Sequence, residues 1–474
     1  MKDPKHQHSK DKSDRPSLEI PLDQIKSSVF SRGMALAKMT LKTGVQLAGH
    51  SLKNSMSSDK SEAWQEFLKD QAKTLSVELG QLKGSLMKAG QMLSMYGEHF
   101  LPPEANQFLK TLQSESPPLK WEPIYETLKK ELGESKLSQL EIQEKALASA
   151  SMGQVHRARI KSTGEEIVLK VQYPRVDEAI DSDLKGIKTI LSLLKLFPRD
   201  FDPTSLFEEV RQMLHQETDY ELEAENTEKF RKLLEKDPRF IVPKVYAEYS
   251  NRKVLALSYE RGLRADDAIV QNLSQEKRNQ IALNFLDLFF KELYDWKIVQ
   301  TDPHVGNYQI RLNPFGPDQI ILFDFGATRS YGNDFLGHYY DMIRGVLFQD
   351  RETFLKGSKA LNFIRENDDP ELVRLFEEFC FETIEPFIAP EDPRNRLGLV
   401  HNDGTYDWKN TDLPQRITLK VLNVIKKNSF RNPPREIVFL DRKTGGVFIF
   451  LSVLRARICG RDVLLKYVQK SGKA

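Results

Sequence analysis

Residues 300–307 read Gln300-Thr301-Asp302-Pro303-His304-Val305-Gly306-Asn307, and residues 322–326 read Leu322-Phe323-Asp324-Phe325-Gly326. The first stretch lies between a long helical pattern over 275–296 and a strand pattern over 308–312. The second closes another strand pattern, over 319–323. A carboxylate and an amide therefore stand five residues apart in one loop, and a second carboxylate follows at the end of a strand. Each piece alone is ordinary. Asp-Pro starts turns, and Asp-Phe-Gly is a common turn. Their order and placement carry the meaning.

Toward the N-terminus, residues 155–160 and 166–172 read as two strands joined by a Ser162-Thr163-Gly164 turn. In the second, Ile167, Leu169 and Val171 share one face, while Val168 and Lys170 share the other. A strand lysine, an Asp and Asn five apart, then Asp-Phe-Gly: this is the order of parts in a kinase. Phosphoryl transfer needs a cation on the phosphates, oxygen ligands for Mg²⁺ and a carboxylate that orients the attacking group. The protein supplies position and charge. On this reading Lys170 holds the phosphates of ATP, Asp302 orients the nucleophile, and Asn307 and Asp324 bind Mg²⁺. No G-x-G-x-x-G precedes the first strand. Ala146-Leu147-Ala148-Ser149-Ala150-Ser151-Met152-Gly153-Gln154-Val155 stands there and reads as a loop. Ala148, Ser149, Ala150, Ser151, Gly153 and Val168 are expected to line the nucleotide, with successive N–H groups forming an anion nest. Ala and Ser are stiffer than Gly, so the lid should move less.

The 474 residues are 39% hydrophobic, enough for a real core, and carry 70 basic against 68 acidic side chains. That balance gives no support to a nucleic-acid partner. Cys380 and Cys459 have no metal-ligand spacing around them and read as free thiols in a reducing compartment. No secretory signal is visible, and no stretch has the roughly 18–20 apolar residues a spanning helix needs. The expected location is cytoplasmic. Residues 31–48 are mildly cationic and amphipathic. They are read either as a peripheral membrane contact or as a scaffold helix packed on the protein.

The expected organisation is a disordered leader over 1–24, a helical extension over 25–124, a small lobe over 125–260 with inserted helices, and a large helical lobe over 261–474. Helical patterns cover 25–52 and 61–96. Ser205 and Glu208 read as a capping box opening a later helix. The fold class is α+β: a protein-kinase-like two-lobed fold with an N-terminal helical extension and a predominantly helical C-terminal lobe. Tyr259-Glu260-Arg261-Gly262 would link the lobes, where backbone groups, Glu260 among them, bind adenine. No role is read for residues 442–446.

Across residues 31–465 the chain resembles the UbiB/AarF/ADCK family of atypical, protein-kinase-like proteins. Lys88-Ala89-Gly90-Gln91 is similar to the family's KxGQ signature. Ala148 to Ser151, with Gly153-Gln154-Val155-His156, resembles its alanine-rich loop. Lys170 followed by Val171-Gln172-Tyr173-Pro174 and Glu217-Thr218-Asp219-Tyr220, similar to the ExD motif, complete the set with the 300–307 loop and Asp324 to Arg329. The resemblance implies a catalytic set of Lys170, Asp302 and Glu223, with Glu223 pairing with Lys170. It also implies a regulatory set in which Glu217 and Asp219 meet Lys88 and Gln91, folding the extension over the site that would accept a peptide. Two departures stand out: Ser149 interrupts the alanine run, and His304-Val305-Gly306 replaces His-Pro-Gly. The family implies Mg²⁺ and ATP as cofactors, a lipid or quinone-precursor ligand, and ATP hydrolysis or small-molecule phosphorylation in support of quinone or isoprenoid lipid metabolism. It argues against ordinary protein phosphorylation. The alternative is a nucleotide-switched lipid- or protein-binding module with little or no turnover.

Overall fold

The computed structural model describes residues 84–100, 103–112, 118–197, 202–395, 397–413, 416–417 and 435–471. The leader, the 25–52 helix, the 31–48 membrane stretch and most of the 61–96 helix lie outside the described residues.

Four antiparallel strands in the order β1-β2-β3-β5 form the first sheet: β1 Leu140–Ser149, β2 Gly153–Ile160, β3 Glu166–Gln172 and β5 Val254–Ser258. The period-2 pattern of β3 puts Ile167, Leu169 and Val171 fully in the core. Helices α1 (Ser85–Phe100), α2 (Pro103–Thr111), α3 (Trp121–Leu137), α4 (Val176–Leu193), α5 (Thr204–Glu217) and α6 (Tyr220–Leu234) accompany it. Leu86, Ala89 and Leu93 of α1 share one core with Ile180 and Leu184 of α4, Val210 and Leu214 of α5, and Leu169 of the sheet. The extension is thus part of the small lobe's core.

The second core belongs to the other half. Short strands β4 (Phe240–Ile241), β8 (Gln319–Leu322) and β7 (Tyr308–Arg311) form a sheet in the order β4-β8-β7, and β6 (Ile298–Gln300) pairs antiparallel with β9 (Thr328–Ser330). Around them lie α7 (Ala268–Gln271), α8 (Gln275–Phe290), α9 (Asn333–Phe348), α10 (Arg351–Ala360), α11 (Pro370–Ile384), α12 (Arg435–Val453) and α13 (Gly460–Ser471), with a small β10 (Tyr406–Asp407) and β11 (Arg457–Ile458) pair. Ser274 caps α8 by accepting from the Lys277 N–H, and Asp369 caps α11 with a proline just inside. A π-helical turn over Lys291–Trp296 ends α8, and Lys297 closes it in the left-handed region. Residues 259–262 connect β5 to this lobe. Gly262 passes so close to Gln309 that a Cβ would sit 2.7 Å from its Cβ.

Two local expectations are corrected. Residues 146–149 are the end of β1 rather than loop; only 150–152 turn the hairpin, closed by the Ala150 N–H donating to the Gly153 carbonyl at 2.8 Å. The Ser205/Glu208 box does not form. α5 starts at Thr204, whose N–H is taken by Asp202 at 2.9 Å, and Glu208 turns to Arg211 at 3.0 Å. Asp202 reaches the first free N–H sooner than Ser205, which already lies inside the helix.

Candidate active site

Lys170 points from β3 toward the N-terminal turn of α6. Its Nζ donates to both oxygens of Glu223, at 2.7 and 2.8 Å, and stands 3.5 Å from Asp324 Oδ2. The Tyr220 ring lies 5.0 Å from the same ammonium. Burial works against the Lys170 charge, but Asp324 and then Glu223 outweigh it and hold the ammonium well above its usual range. It is a fixed cation. Asp219 caps α6 by accepting from the Leu222 N–H at 3.2 Å, which sets the helix start and hence Glu223 one turn on.

The strands β6 and β9 bring the two carboxylate loops together. Thr301 is stitched to the Ala327 carbonyl through its N–H at 2.8 Å and its hydroxyl at 2.7 Å. The Phe323 N–H donates to the Asn307 carbonyl at 3.1 Å. Asn307 Nδ2 donates to the Asp302 carbonyl at 3.0 Å, which leaves the amide oxygen as its acceptor. Asp324 Oδ1 accepts from the Gly326 N–H at 3.0 Å, and its side chain keeps 32% of its exposure. Phe325 packs on Phe230 of α6 at 4.6 Å between ring centroids, and Asn226 donates to the Phe325 carbonyl at 3.3 Å. The Asp324 loop and the helix bearing Glu223 are therefore one packed unit.

Among the described residues no group of three or more His, Cys, Asp or Glu is arranged to hold a metal. A Mg²⁺ held by one or two protein oxygens plus substrate phosphates needs no such group. A half-exposed carboxylate at Asp324 beside an amide oxygen at Asn307 fits that donor set.

Asp302 is more enclosed. Lys88 of α1 reaches its Oδ2 at 3.4 Å, and Arg442 of α12 donates to its Oδ1 at 2.6 Å. Burial would raise this carboxyl, yet Lys88, Arg442 and His304 outweigh it and hold it at about 2. Lys88 also pairs with Glu217 at 2.6 Å. Burial opposes its charge too, but Glu217 and Asp302 keep its pKa above the ordinary lysine value. Because the folded carboxyl titrates below its free value of 3.8, its stabilising contribution is present above about pH 4 and is lost as pH falls through about 2. Amide hydrogen exchange over residues 85–100 should accelerate across that window in wild type, and less in Asp302→Asn.

The expected regulatory set is thus corrected. Glu217 meets Lys88, but Asp219 caps α6 and faces Arg252 at 3.9 Å. Among the described residues no hydrogen bond or ion pair joins Asp219 to Lys88, or either acid to Gln91. A helix cap is needed two residues after Glu217, and that need takes Asp219's oxygen away from α1. In the hairpin, Ala148 and Ser149 lie exposed on β1 and Gly153 is buried, with room for no Cβ: one would meet the Val171 carbonyl at 2.3 Å. Gln154 and His156 are buried and structural, Gln154 bonding the Leu119 backbone at 3.0 Å and His156 the Gln143 carbonyl at 2.9 Å. Val168 is half-buried beside Lys170 on β3, and Glu260 pairs with Arg311 at 2.7 Å.

Helix α12 is the part that sequence reasoning missed. Besides Arg442 on Asp302, Lys443 is fully buried, 3.0 Å from Glu292 of the π-turn and 3.5 Å from Gln300. Gly446 lies flat on Pro303; a Cβ there would be 2.2 Å from the proline Cβ. Arg329 stacks over Phe439 at 3.7 Å. A basic pair followed by small residues, Arg442-Lys443-Thr444-Gly445-Gly446, inside an apolar helix was the available signal.

A strand lysine salt-bridged to a helix glutamate, over stitched Asp302–Asn307 and Asp324 loops, is the arrangement of a kinase-like fold. A profile described as the ABC1 atypical kinase-like domain matches residues 111–358. The chain belongs to this family. Curated relatives agree. The atypical kinase COQ8B, mitochondrial, of Danio rerio is 32% identical over 82% of this chain and 59% of its own length. The probable serine/threonine-protein kinase abkA of Dictyostelium discoideum is 30% identical over 92% of this chain and 78% of its own. The chain spans under two thirds of the Danio relative's length. Among solved structures, the Rv3197–erythromycin complex from Mycobacterium tuberculosis aligns with a TM-score of 0.55 at 24% identity, over 86% of this chain and 98% of that one. That likeness supports the fold. The UbiB/ADCK resemblance and the two-lobed α+β architecture both hold.

Proposed function

We propose that this ABC1-family protein binds ATP with Mg²⁺ and hydrolyses it, or transfers its γ-phosphoryl group to a small molecule, in support of quinone or isoprenoid lipid metabolism. The observation that carries the reading is the Lys170–Glu223 pair at 2.7 Å with Asp324 3.5 Å from the same ammonium. Lys170 would hold the α- and β-phosphates, Glu223 would fix Lys170, and Asn307 and Asp324 would hold Mg²⁺. Held there, Mg²⁺ would supply positive charge against the charge that develops on phosphoryl transfer. Asp302 would orient the nucleophile. Ala148 to Ser151, Gly153 and Val168 would line the phosphates, and the backbone at Glu260 the adenine. The four units read from the sequence, 1–24, 25–124, 125–260 and 261–474, frame this reading.

Asp302 has both carboxyl oxygens engaged, by Lys88 and Arg442. Helix α1 therefore stands where a peptide hydroxyl would approach, which favours water or a small acceptor. Lys88→Met removes one of these partners and the charge that draws α1 to Glu217. Phosphorylation of the chain itself by labelled ATP is expected to rise at least tenfold in this variant over wild type; equal labelling would sink the occlusion argument.

The relatives of Danio rerio and Saccharomyces cerevisiae carry mitochondrial in their names. This supports a mitochondrial site of action in place of the cytoplasmic one expected from composition. Among the described residues no helix is long and apolar enough to cross a membrane; peripheral contact with a lipid surface is part of the proposal. A turnover assay tests the function: the full chain with Mg²⁺ and ATP, screened against lipid vesicles and phenolic quinone precursors, should release phosphate or yield a phosphorylated acceptor. Nucleotide binding with no turnover under any condition would instead favour the switch module, for which the doubly paired Asp302 is the supporting observation.

A further inference from the structure

Helix α12 faces two ways. Arg442 and Lys443 turn to Asp302 and Glu292, whereas the part-exposed Asp441 lines a partly open cavity of about 90 Å³ between α8, α9, α11, α12 and α13. Its walls are mostly rings, among them Phe290, Tyr294, Tyr339, Phe376 and Phe448, with the Cys380 thiol. The buried carboxylates of this lobe, and the part-buried Glu377, each have a cation. Glu292 has Lys443, Glu382 and Glu385 share Arg416, Glu377 has Arg351, and Asp302 has Lys88 and Arg442. Among the described residues Asp441 makes no hydrogen bond or ion pair. Burial pushes its carboxyl up to about 7. The groups near it, Tyr339 and Tyr331 of α9 and its approach and Cys380 of α11, are neutral at pH 7 and bring no positive charge. The buried Tyr294 hydroxyl also lacks a partner among the described residues.

We propose that this cavity is a binding site for a small cationic amphiphile, a protonated amine on a compact apolar body, whose ammonium pairs with Asp441 while the rings enclose the rest. An apolar guest alone would need only the rings, since purely apolar cavities bind such molecules without any polar group. A carboxyl placed there costs desolvation unless a charge meets it. Aromatic faces beside a carboxylate are the usual surroundings of a bound ammonium, and the Tyr294 hydroxyl offers an acceptor for a second N–H. About 90 Å³ is less than the ~150 Å³ that accepts benzene, so the guest is small and part of its apolar body reaches the open side of the pocket.

The site is independent of nucleotide, so its test is too. Cyclopentylamine and cyclopentanol have the same shape and differ in charge. Titrated at pH 7.5 into the full chain and followed by ligand-observed NMR, the amine should saturate and bind at least tenfold more tightly than the alcohol. Asp441→Asn should remove that preference, and Cys380→Phe, which fills the cavity, should abolish binding of both. The proposal is overturned if amine and alcohol bind alike, or if either variant binds the amine as wild type does. Should Asp441→Asn fail to fold, Cys380→Phe alone decides.

Discussion

Asp324→Asn is expected to slow phosphate release by on the order of 10²–10³-fold with the fold intact. The carboxylate sits at the end of β8, one oxygen tied to the Gly326 N–H and the other 3.5 Å from Lys170. Asn keeps the shape and the bond to Gly326. It removes the negative charge that would hold the ion and that helps fix Lys170. Phe325 on Phe230 anchors the loop through apolar contact, so the amide should leave the packing undisturbed. Circular dichroism and the melting temperature should therefore match wild type while turnover collapses. A variant that turned over at the wild-type rate would remove Asp324 from the metal site.

The second large effect is on stability. Lys443→Met should destabilise the protein by about 3–5 kcal/mol, because it strands Glu292 in a site where both side chains are only 2% exposed. Burial already raises the Glu292 carboxyl against the pull of Lys443. Without Lys443 it would have to take up a proton on folding. Lys443→Met/Glu292→Gln should recover a large part of the loss, since an uncharged pair leaves no bare charge. Urea denaturation of the two singles and the double gives the coupling. The pair braces the π-turn and Gln300 directly behind the Asp302 loop, so Lys443→Met should also lower turnover.

The legible parts of this protein are the local ones. The Asp302-to-Asn307 loop, Asp324 and Lys170 each lie on an element whose pattern is read within ten residues, and their order along the chain supplied the fold class. Glu223 lies 53 residues from Lys170, and only the family resemblance pointed to it; the structure brings the two to 2.7 Å. Residues 146–149, the end of β1, read as loop because all but one residue of that strand face partly or wholly outward and its pairing with β2 is broken by two irregularities. That leaves no alternation to detect. Asp219 was placed in the wrong company because its role as a helix cap is decided by where α6 begins. Arg442 acts on a loop 140 residues earlier in the chain. Nothing near it in sequence announces a tertiary partner, so no role is legible for residues 442–446 although their helix holds Asp302.

Lys170, Asp302, Asn307 and Asp324 are proposed to form one Mg-ATP site. Isothermal titration of ATP into the full chain tests it most directly, with Mg²⁺, with EDTA, and with the Asp324→Asn variant. The expected result is a single saturable site in Mg²⁺ whose affinity falls at least tenfold in EDTA and in the variant. Absence of ATP binding, or binding unaffected by both changes, would contradict it.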